Sequence, residues 1–344
     1  MSRRFPFLLN PFFALLSLFR LRLGGRTASR YEDVPAQGAR RVLTRDRVPL
    51  HVEVDGDEQA ELTVVFVHGF TARLGEFDLQ RQSLRERGGV RIVLYDQRGH
   101  GRSGRGAARF ATIDQLAVDL SDVLDAVAPT GRLVLLGHSL GGMTVMALAR
   151  QRPELIGGRV RGVFLLATSA GDLANAGPLG ATLKLLRRLH LLGAYLLWLR
   201  LVAPVAERFR RRGTPVGRAL IKHYLFGKDD ADPALVPLVQ DMLEETPMTV
   251  TAAFYPTFIS HDETSSLQVL RAVPVTVLVG TDDRLTPAAH SRSMAAALGP
   301  NCELIVVPGA GHSVNITRPQ IVDRALLELV DRSEQPTARE RSAS

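Results

Sequence analysis

The stretch VLLGHSLGGM, residues 134–143, decides the fold of this chain. Its serine, Ser139, stands between Gly137 and Gly141, after an apolar run and before the helical pattern LGGMTVMALARQ. A serine in that setting lies on a strand-to-helix turn, where glycine removes side chains that would otherwise collide. The stretch alone fits either a nucleophile on a sharp turn or a packed, flexible turn, so the rest of the chain must supply its partners.

Short apolar runs and helical patterns alternate along the chain. The runs are rich in Val, Leu and Ile at consecutive positions and occupy residues 62–69, 91–96, 132–138, 162–169, 275–283 and 303–312. Such runs are typical of strands buried on both faces of a parallel sheet. Between two of them, residues 112–128 have helical spacing, with Thr112 as the predicted N-cap. The fold class is therefore α/β, with a mostly parallel, doubly wound sheet.

The same patterns divide the chain into five segments. We predict an apolar and basic N-terminal segment with its linker at 1–40, core at 41–170 and 261–333, and a disordered polar tail at 334–344. Between the core segments, residues 171–260 lack a convincing strand and are apolar with interleaved arginines. This composition predicts a helical lid over a lipophilic pocket, and plain helical packing on the sheet is the alternative.

The N-terminal run FPFLLNPFFALLSLF, residues 5–19, is strongly apolar and has arginines on both sides. It is shorter than the roughly 20 residues that a spanning helix needs, and Asn10 and Pro11 interrupt it. We interpret it as a peripheral anchor in the membrane interface. The alternatives are an export signal and a helix packed on the protein. The predicted location is cytoplasmic or at a membrane surface, with export as the alternative.

Composition excludes several classes of protein. The chain of 344 residues is 45% hydrophobic and 23% charged, as in globular proteins. Its net charge of +8 comes mainly from scattered arginines without a nucleic-acid-binding motif, so we predict no nucleic-acid partner. The single cysteine, Cys302, excludes an intrachain disulfide and a cysteine metal cluster, and it is interpreted as a neighbour of the core. No metal or cofactor motif is present, and none is expected to be bound.

A serine hydroxyl needs a base, and the base needs an acid to orient it. His312 lies in the glycine-rich segment VVPGAGHSV at the end of the last run, and Asp282 and Asp283 end the penultimate run. The carboxyl ends of parallel strands meet at one edge of a sheet, so these groups are expected to gather near Ser139. His68, His100 and His138 lie in turns where an imidazole often bonds to the backbone.

Five motifs in order make the chain resemble the α/β-hydrolase superfamily from about residue 45 to 333. They are HGF (68–70), YDQRGHGRS (95–103), GHSLGG (137–142), GTDDRLTP (280–287) and GAGHS (309–313). Within the superfamily the chain is most similar to the lid-bearing serine esterases and lipases, the monoacylglycerol-lipase-like branch. The resemblance implies an α/β-hydrolase fold with an inserted helical lid.

The resemblance also implies which acid orients the histidine. In the family's G-x-x-D-x-x-x-P pattern the aspartate falls on Asp283, with Gly280 and Pro287 as its frame. Asp282 is the alternative within this loop. Asp172 would serve only if the acid had moved to the preceding strand.

The expected activity is that of a serine carboxylic-ester hydrolase acting on lipophilic acyl substrates through an acyl-enzyme. By the family's arrangement Ser139, Asp283 and His312 form the catalytic triad, and the backbone N–H groups of Phe70 and Leu140 form the oxyanion hole. The same triad could serve an acyltransferase, thioesterase, amidase or C–C hydrolase. A non-catalytic, membrane-recruited binding protein is the alternative from another class.

Overall fold

The structure is a computed structural model that describes residues 34–173, 185–209, 215–228, 232 and 234–335. The apolar run at residues 5–19 and nearly all of the tail lie outside the described residues. So do residues 174–184 and 210–214 of the segment expected to be a lid.

Eight strands form a single sheet in the order β1-β2-β4-β3-β5-β6-β7-β8. They are β1 (Gly38–Leu43), β2 (Pro49–Gly56), β3 (Leu62–Val67), β4 (Arg91–Tyr95), β5 (Arg132–His138), β6 (Val160–Leu166), β7 (Val275–Gly280) and β8 (Cys302–Val307). Strand β2 runs antiparallel to both neighbours, and β4, β3 and β5 to β8 are parallel. The mostly parallel α/β sheet and its six predicted strands are confirmed.

The sequence prediction missed β1, the strand at one edge of the sheet, and its neighbour β2. In β2 the buried Leu50, Val52 and Val54 alternate with charged or polar residues such as Glu53 and Asp55. Alternation is typical of antiparallel strands, whereas the prediction relied on consecutive apolar residues. Consecutive apolar residues therefore mark only the parallel strands of this sheet.

Eleven α-helices lie wholly within the described residues. They are α1 (Asp78–Arg87), α2 (Ile113–Val127), α3 (Leu140–Gln151), α4 (Leu192–Phe209), α5 (Pro215–Leu225), α6 (Leu235–Glu245), α7 (Met248–Ser260), α8 (Ser266–Leu270), α9 (Ala288–Leu298), α10 (Val314–Thr317) and α11 (Pro319–Glu334). Helices α2, α3, α8 and α9 contribute to the core on one face of the sheet, and α1, α10 and α11 to the core on the other. Thr112 caps α2 as predicted, because its side chain accepts the N–H of Gln115 at 3.1 Å.

Helices α4 to α7 lie between β6 and β7 in the chain. In the described part of this region, α4 packs on α7 and α5 packs on α6. The side of α4 that faces the protein carries the buried Leu199, Ala203 and Ala206. None of the described helices combines the length and apolar character needed to cross a bilayer.

Candidate active site

The loops that follow β3, β5, β7 and β8 meet at one end of the sheet, because these strands are parallel. They carry Phe70, Ser139, Thr286 and His312, all of which line a cavity of about 320 Å³. The geometry thus brings together residues that are far apart in the sequence.

Ser139 occupies a strained turn between β5 and α3. Its backbone has φ 51° and ψ −115°, a conformation that costs energy for any residue with a side chain. Two hydrogen bonds support the turn: the N–H of Ser139 donates to the carbonyl of Leu166 at 2.9 Å, and Thr168 Oγ1 donates to the Ser139 carbonyl at 2.7 Å. The neighbouring strand β6 and its loop therefore brace the turn, and the half-buried Ser139 side chain lines the cavity.

The two glycines beside Ser139 are required by close backbone approach. A Cβ on Gly141 would overlap the carbonyl oxygen of Val67 at the end of β3, and a Cβ on Gly137 would overlap the carbonyl of Gly141. The G-x-S-x-G spacing thus lets the strand and the helix start pack against β3. The interpretation of the stretch as a sharp, supported turn agrees with this packing.

His312 and Asp283 are joined by a hydrogen bond of 2.8 Å between Nδ1 of the imidazole and Oδ2 of the carboxylate. Both side chains are buried. Among the described contacts, Ser139 Oγ and the His312 ring make no hydrogen bond with each other, although both line the cavity. Hydrogen bonds between a nucleophile and its base are often long in structures that contain no substrate.

The two neighbouring aspartates have different surroundings. Asp283 Oδ1 accepts the N–H groups of Leu285 and Thr286, each at 2.8 Å, so the carboxylate is fixed in the loop. Asp282 Oδ2 instead accepts the N–H of Lys228 at 3.1 Å. Asp172 lies after β6, outside the set of described residues that line this cavity. Of the three acids, Asp283 is the one that contacts His312.

Thr286 was not singled out from the sequence. Its Oγ1 donates to Asp283 Oδ2 at 2.8 Å and lies 3.3 Å from His312 Nδ1. A hydroxyl three residues after the acid was the available signal, but its direction depends on the loop conformation. Thr286 fixes the carboxylate oxygen that also accepts the imidazole.

Two backbone N–H groups are available beside Ser139. Neither Phe70 nor Leu140 donates its N–H to another residue in the described part of the chain. Leu140 is the first residue of α3, where N–H groups have no partner within the helix and the helix dipole favours negative charge. These are the two donors that the sequence resemblance implied.

The cavity wall is mostly apolar. The loops contribute Phe70, Leu173 and Leu285, whereas helices α5, α6 and α7 contribute apolar or aromatic side chains, namely Leu225, Val239, Met242, Leu243, Tyr255, Phe258 and Ile259. A cavity of this size and lining suits an apolar small molecule with a few fixed polar contacts.

Two buried ionisable residues in the same wall, Glu76 and His138, were not assigned to the site from the sequence. Of the three histidines expected in turns, His68 and His100 contact backbone carbonyls, of Gly69 at 2.8 Å and of Arg98 at 3.0 Å, as expected, whereas His138 is the last residue of β5. His138 contacts a carboxylate as well.

The described residues contain no group of three or more side chains suited to hold a metal ion. Cys302 is half-buried at the start of β8, and burial raises the pKa of its thiol to about 11. The thiol is therefore protonated near neutral pH, which agrees with its interpretation as a neighbour of the core.

Comparison with known proteins identifies a matching family and individual relatives. The model of the "Alpha/beta hydrolase family" matches residues 64–325. A non-heme chloroperoxidase from Streptomyces lividans is 28% identical over 277 residues, which are 78% of this chain and 91% of that protein. A 2-(acetamidomethylene)succinate hydrolase from Mesorhizobium japonicum is 27% identical, with 83% and 92% covered.

Among solved structures, a thermophilic esterase from Thermogutta terrifontis is similar with a TM-score of 0.67 and 26% sequence identity. The similarity covers 87% of this chain and all of that one. The relatives thus share the fold over most of the chain while their names span several reactions.

Proposed function

The chain belongs to the alpha/beta hydrolase family, and on that premise we propose that it is a serine hydrolase that cleaves carboxylic esters of lipophilic acyl substrates through an acyl-enzyme. The observation that carries the proposal is the Asp283–His312 hydrogen bond, because the His312 that it orients lines the same mostly apolar cavity as Ser139.

In the proposed mechanism Ser139 Oγ attacks the ester carbonyl carbon, and His312 Nε2 takes the hydroxyl proton. Asp283 accepts a hydrogen bond from Nδ1–H of His312, so that Nε2 is the bare nitrogen that faces the serine. The negative charge of Asp283 also stabilises the imidazolium that forms. The negative charge on the carbonyl oxygen is stabilised by the N–H groups of Phe70 and Leu140.

The ester C–O bond then breaks, and His312 gives its proton to the leaving alkoxide. In the second half, His312 takes a proton from water, the hydroxide adds to the acyl carbon, and collapse of this intermediate breaks the bond to Ser139. The proton returns to Ser139 Oγ, and the carboxylic acid leaves. No redox partner is needed.

The lipophilic substrate class is supported by the cavity wall. Helices α5, α6 and α7 supply apolar side chains to this wall, as a lid over an acyl chain would. In the alternative reactions, the acyl-enzyme passes its acyl group to an amine, a thiol or a second alcohol instead of water. The relatives' names show that this fold serves several reactions.

We also propose that the protein works at an anionic lipid surface. The outer face of α4 exposes Leu197 (58%), Leu201 (67%) and Val205 (56%), at a spacing of four residues. The exposed Arg200 and Arg208 lie on the same helix and suit contact with lipid headgroups. Residues 5–19, outside the described part, would be a second contact of the same kind.

A series of p-nitrophenyl esters of increasing acyl length tests the proposal. Each methylene buried in the cavity is worth about 0.8 kcal/mol, so kcat/KM should rise about fourfold per methylene until the cavity is filled. Absence of turnover of any ester by folded protein would contradict ester hydrolysis. Faster product formation when a second alcohol is added, with a new ester as product, would identify an acyltransferase.

A further inference from the structure

A buried acid and a buried histidine lie in the wall of the candidate site. His138 Nδ1 is 3.2 Å from Oε2 and 3.3 Å from Oε1 of Glu76. On the other side of the ring, His138 Nε2 is 3.1 Å from the backbone carbonyl oxygen of His312. Both side chains are buried, with His138 5% and Glu76 6% exposed.

The contacts of His138 favour one protonation state of its ring. A neutral imidazole has one N–H and one bare nitrogen, which must accept a hydrogen bond. Here both ring nitrogens face oxygen atoms, and a carboxylate and a peptide carbonyl can only accept. Both contacts are satisfied when both nitrogens carry a proton, which is the imidazolium form of the ring.

The charges around His138 agree with this state. Burial lowers the pKa of His138, but the facing charge and hydrogen bond of Glu76, the His312 carbonyl and the charge of Asp283 outweigh burial and raise it above its ordinary value. The His312 ring also packs on it, with ring centroids 4.9 Å apart.

The Glu76 carboxylate also contacts the loop that carries Phe70. Glu76 Oε1 accepts the N–H of Gly69 at 2.7 Å, and the next residue is Phe70, one of the two proposed oxyanion donors. The backbone carbonyl of Glu76 accepts from Asn315 Nδ2 at 2.8 Å, three residues after His312. Glu76, which itself lies in the connection after β3, thus contacts the start of that connection and the segment after β8.

We propose that Glu76 and His138 form a buried ion pair that positions the catalytic machinery. The imidazolium of His138 links the nucleophile turn to the backbone of His312. Glu76 links the same imidazolium to the backbone of Gly69, next to Phe70. His138 is the residue before Ser139, so the pair connects three loops that must keep their relative positions. Both are positioning residues. The inference rests on the proposed function only for the roles of Ser139, Phe70 and His312.

The protonation state is measured directly by nuclear magnetic resonance on the full chain labelled with ¹⁵N-histidine. The His138 ring signal is assigned by its loss in His138→Asn, among the nine histidines. We expect both ring nitrogens to be protonated at pH 7 in the wild type. A ring with a single proton at pH 7 would overturn the proposal, whether or not the protein hydrolyses esters.

Steady-state kinetics on a short ester measure the consequence. Deprotonation of His138 at high pH removes one of its two hydrogen bonds, so kcat of the wild type should fall on the alkaline side. Glu76→Gln removes the charge that keeps the proton, so this fall should move to lower pH. At pH 8 kcat should drop by about 10- to 100-fold, the scale of a lost hydrogen bond to a charged group.

A merely structural role would lower kcat by the same factor at every pH and leave the alkaline fall in place, and that result would also overturn the proposal. His51→Gln is the matched control: His51 faces a carboxylate, Glu53, at 3.1 Å, but is not among the residues lining the cavity. Its pH profile should match the wild type. If Glu76→Gln does not fold, the ring protonation in the wild type decides the matter alone.

Failure of the proposed function gives a different result. Fluorophosphonate labelling of Ser139 depends on the nucleophile, whereas the ring protonation of His138 does not. An unlabelled Ser139 with a doubly protonated His138 would reject the hydrolase mechanism and leave the ion pair standing.

Discussion

Asp283 holds the imidazole of His312 through a 2.8 Å hydrogen bond to Nδ1, although an identical acid, Asp282, precedes it in the chain. The difference lies in the loop after β7. The N–H groups of Leu285 and Thr286 turn the Asp283 carboxylate inward, whereas Asp282 contacts the N–H of Lys228. This relationship gives the first prediction.

Replacing Asp283 by asparagine should lower kcat on a short ester by about 10⁴-fold, because an amide can hold the imidazole in the wrong tautomer. The fold should persist, since asparagine has nearly the same shape. Circular dichroism checks the fold and steady-state kinetics measure the loss. Asp282→Asn is the matched control and should change kcat by less than about threefold. A larger loss in Asp282→Asn than in Asp283→Asn would assign the acid to Asp282.

The close approach at the nucleophile turn gives a second prediction. In Gly141→Ala the new Cβ would overlap the Val67 carbonyl, so the free energy of unfolding should fall by about 1–3 kcal/mol or more. In Gly193→Ala, near the start of α4, the new Cβ meets nothing within 4 Å, so stability should stay the same or rise by up to about 1 kcal/mol. Urea unfolding measures both. Equal stability of the two variants would refute the tight packing of the turn.

The exposed face of α4 gives a third prediction. The double variant Leu197→Ser and Leu201→Ser should bind anionic vesicles more weakly in a flotation assay, because it loses apolar surface that would enter the interface. Leu43→Ser on β1 is the control, since Leu43 is 57% exposed but lies on an edge strand. Deleting residues 1–25 should also weaken binding while activity on a short ester survives. Equal binding by the α4 variant and the wild type would remove α4 from the proposed surface.

The sequence predicted those parts of the fold and site that depend on local patterns. Consecutive apolar residues identified the parallel strands, and glycines two residues either side of Ser139 identified the turn, because both features express constraints within a short stretch. The position of Thr112 at a helix start is equally local, and its capping bond is present.

Contacts between distant stretches were not predictable in this way. Glu76 and His138 are 62 positions apart, and the sequence around either one alone does not indicate a buried ion pair. Their pairing depends on the order of the strands, which brings the loop after β3 beside the end of β5. The conformation of the loop after β7 likewise turns Thr286 towards Asp283.

Fluorophosphonate labelling followed by peptide mass analysis tests the central claim most directly, because the reagent needs a serine activated by a base at neutral pH. The account predicts that the wild type carries the label on Ser139, and that Ser139→Ala takes up none and loses at least about 10³-fold of its ester hydrolysis. Labelling at full strength in Ser139→Ala would contradict it.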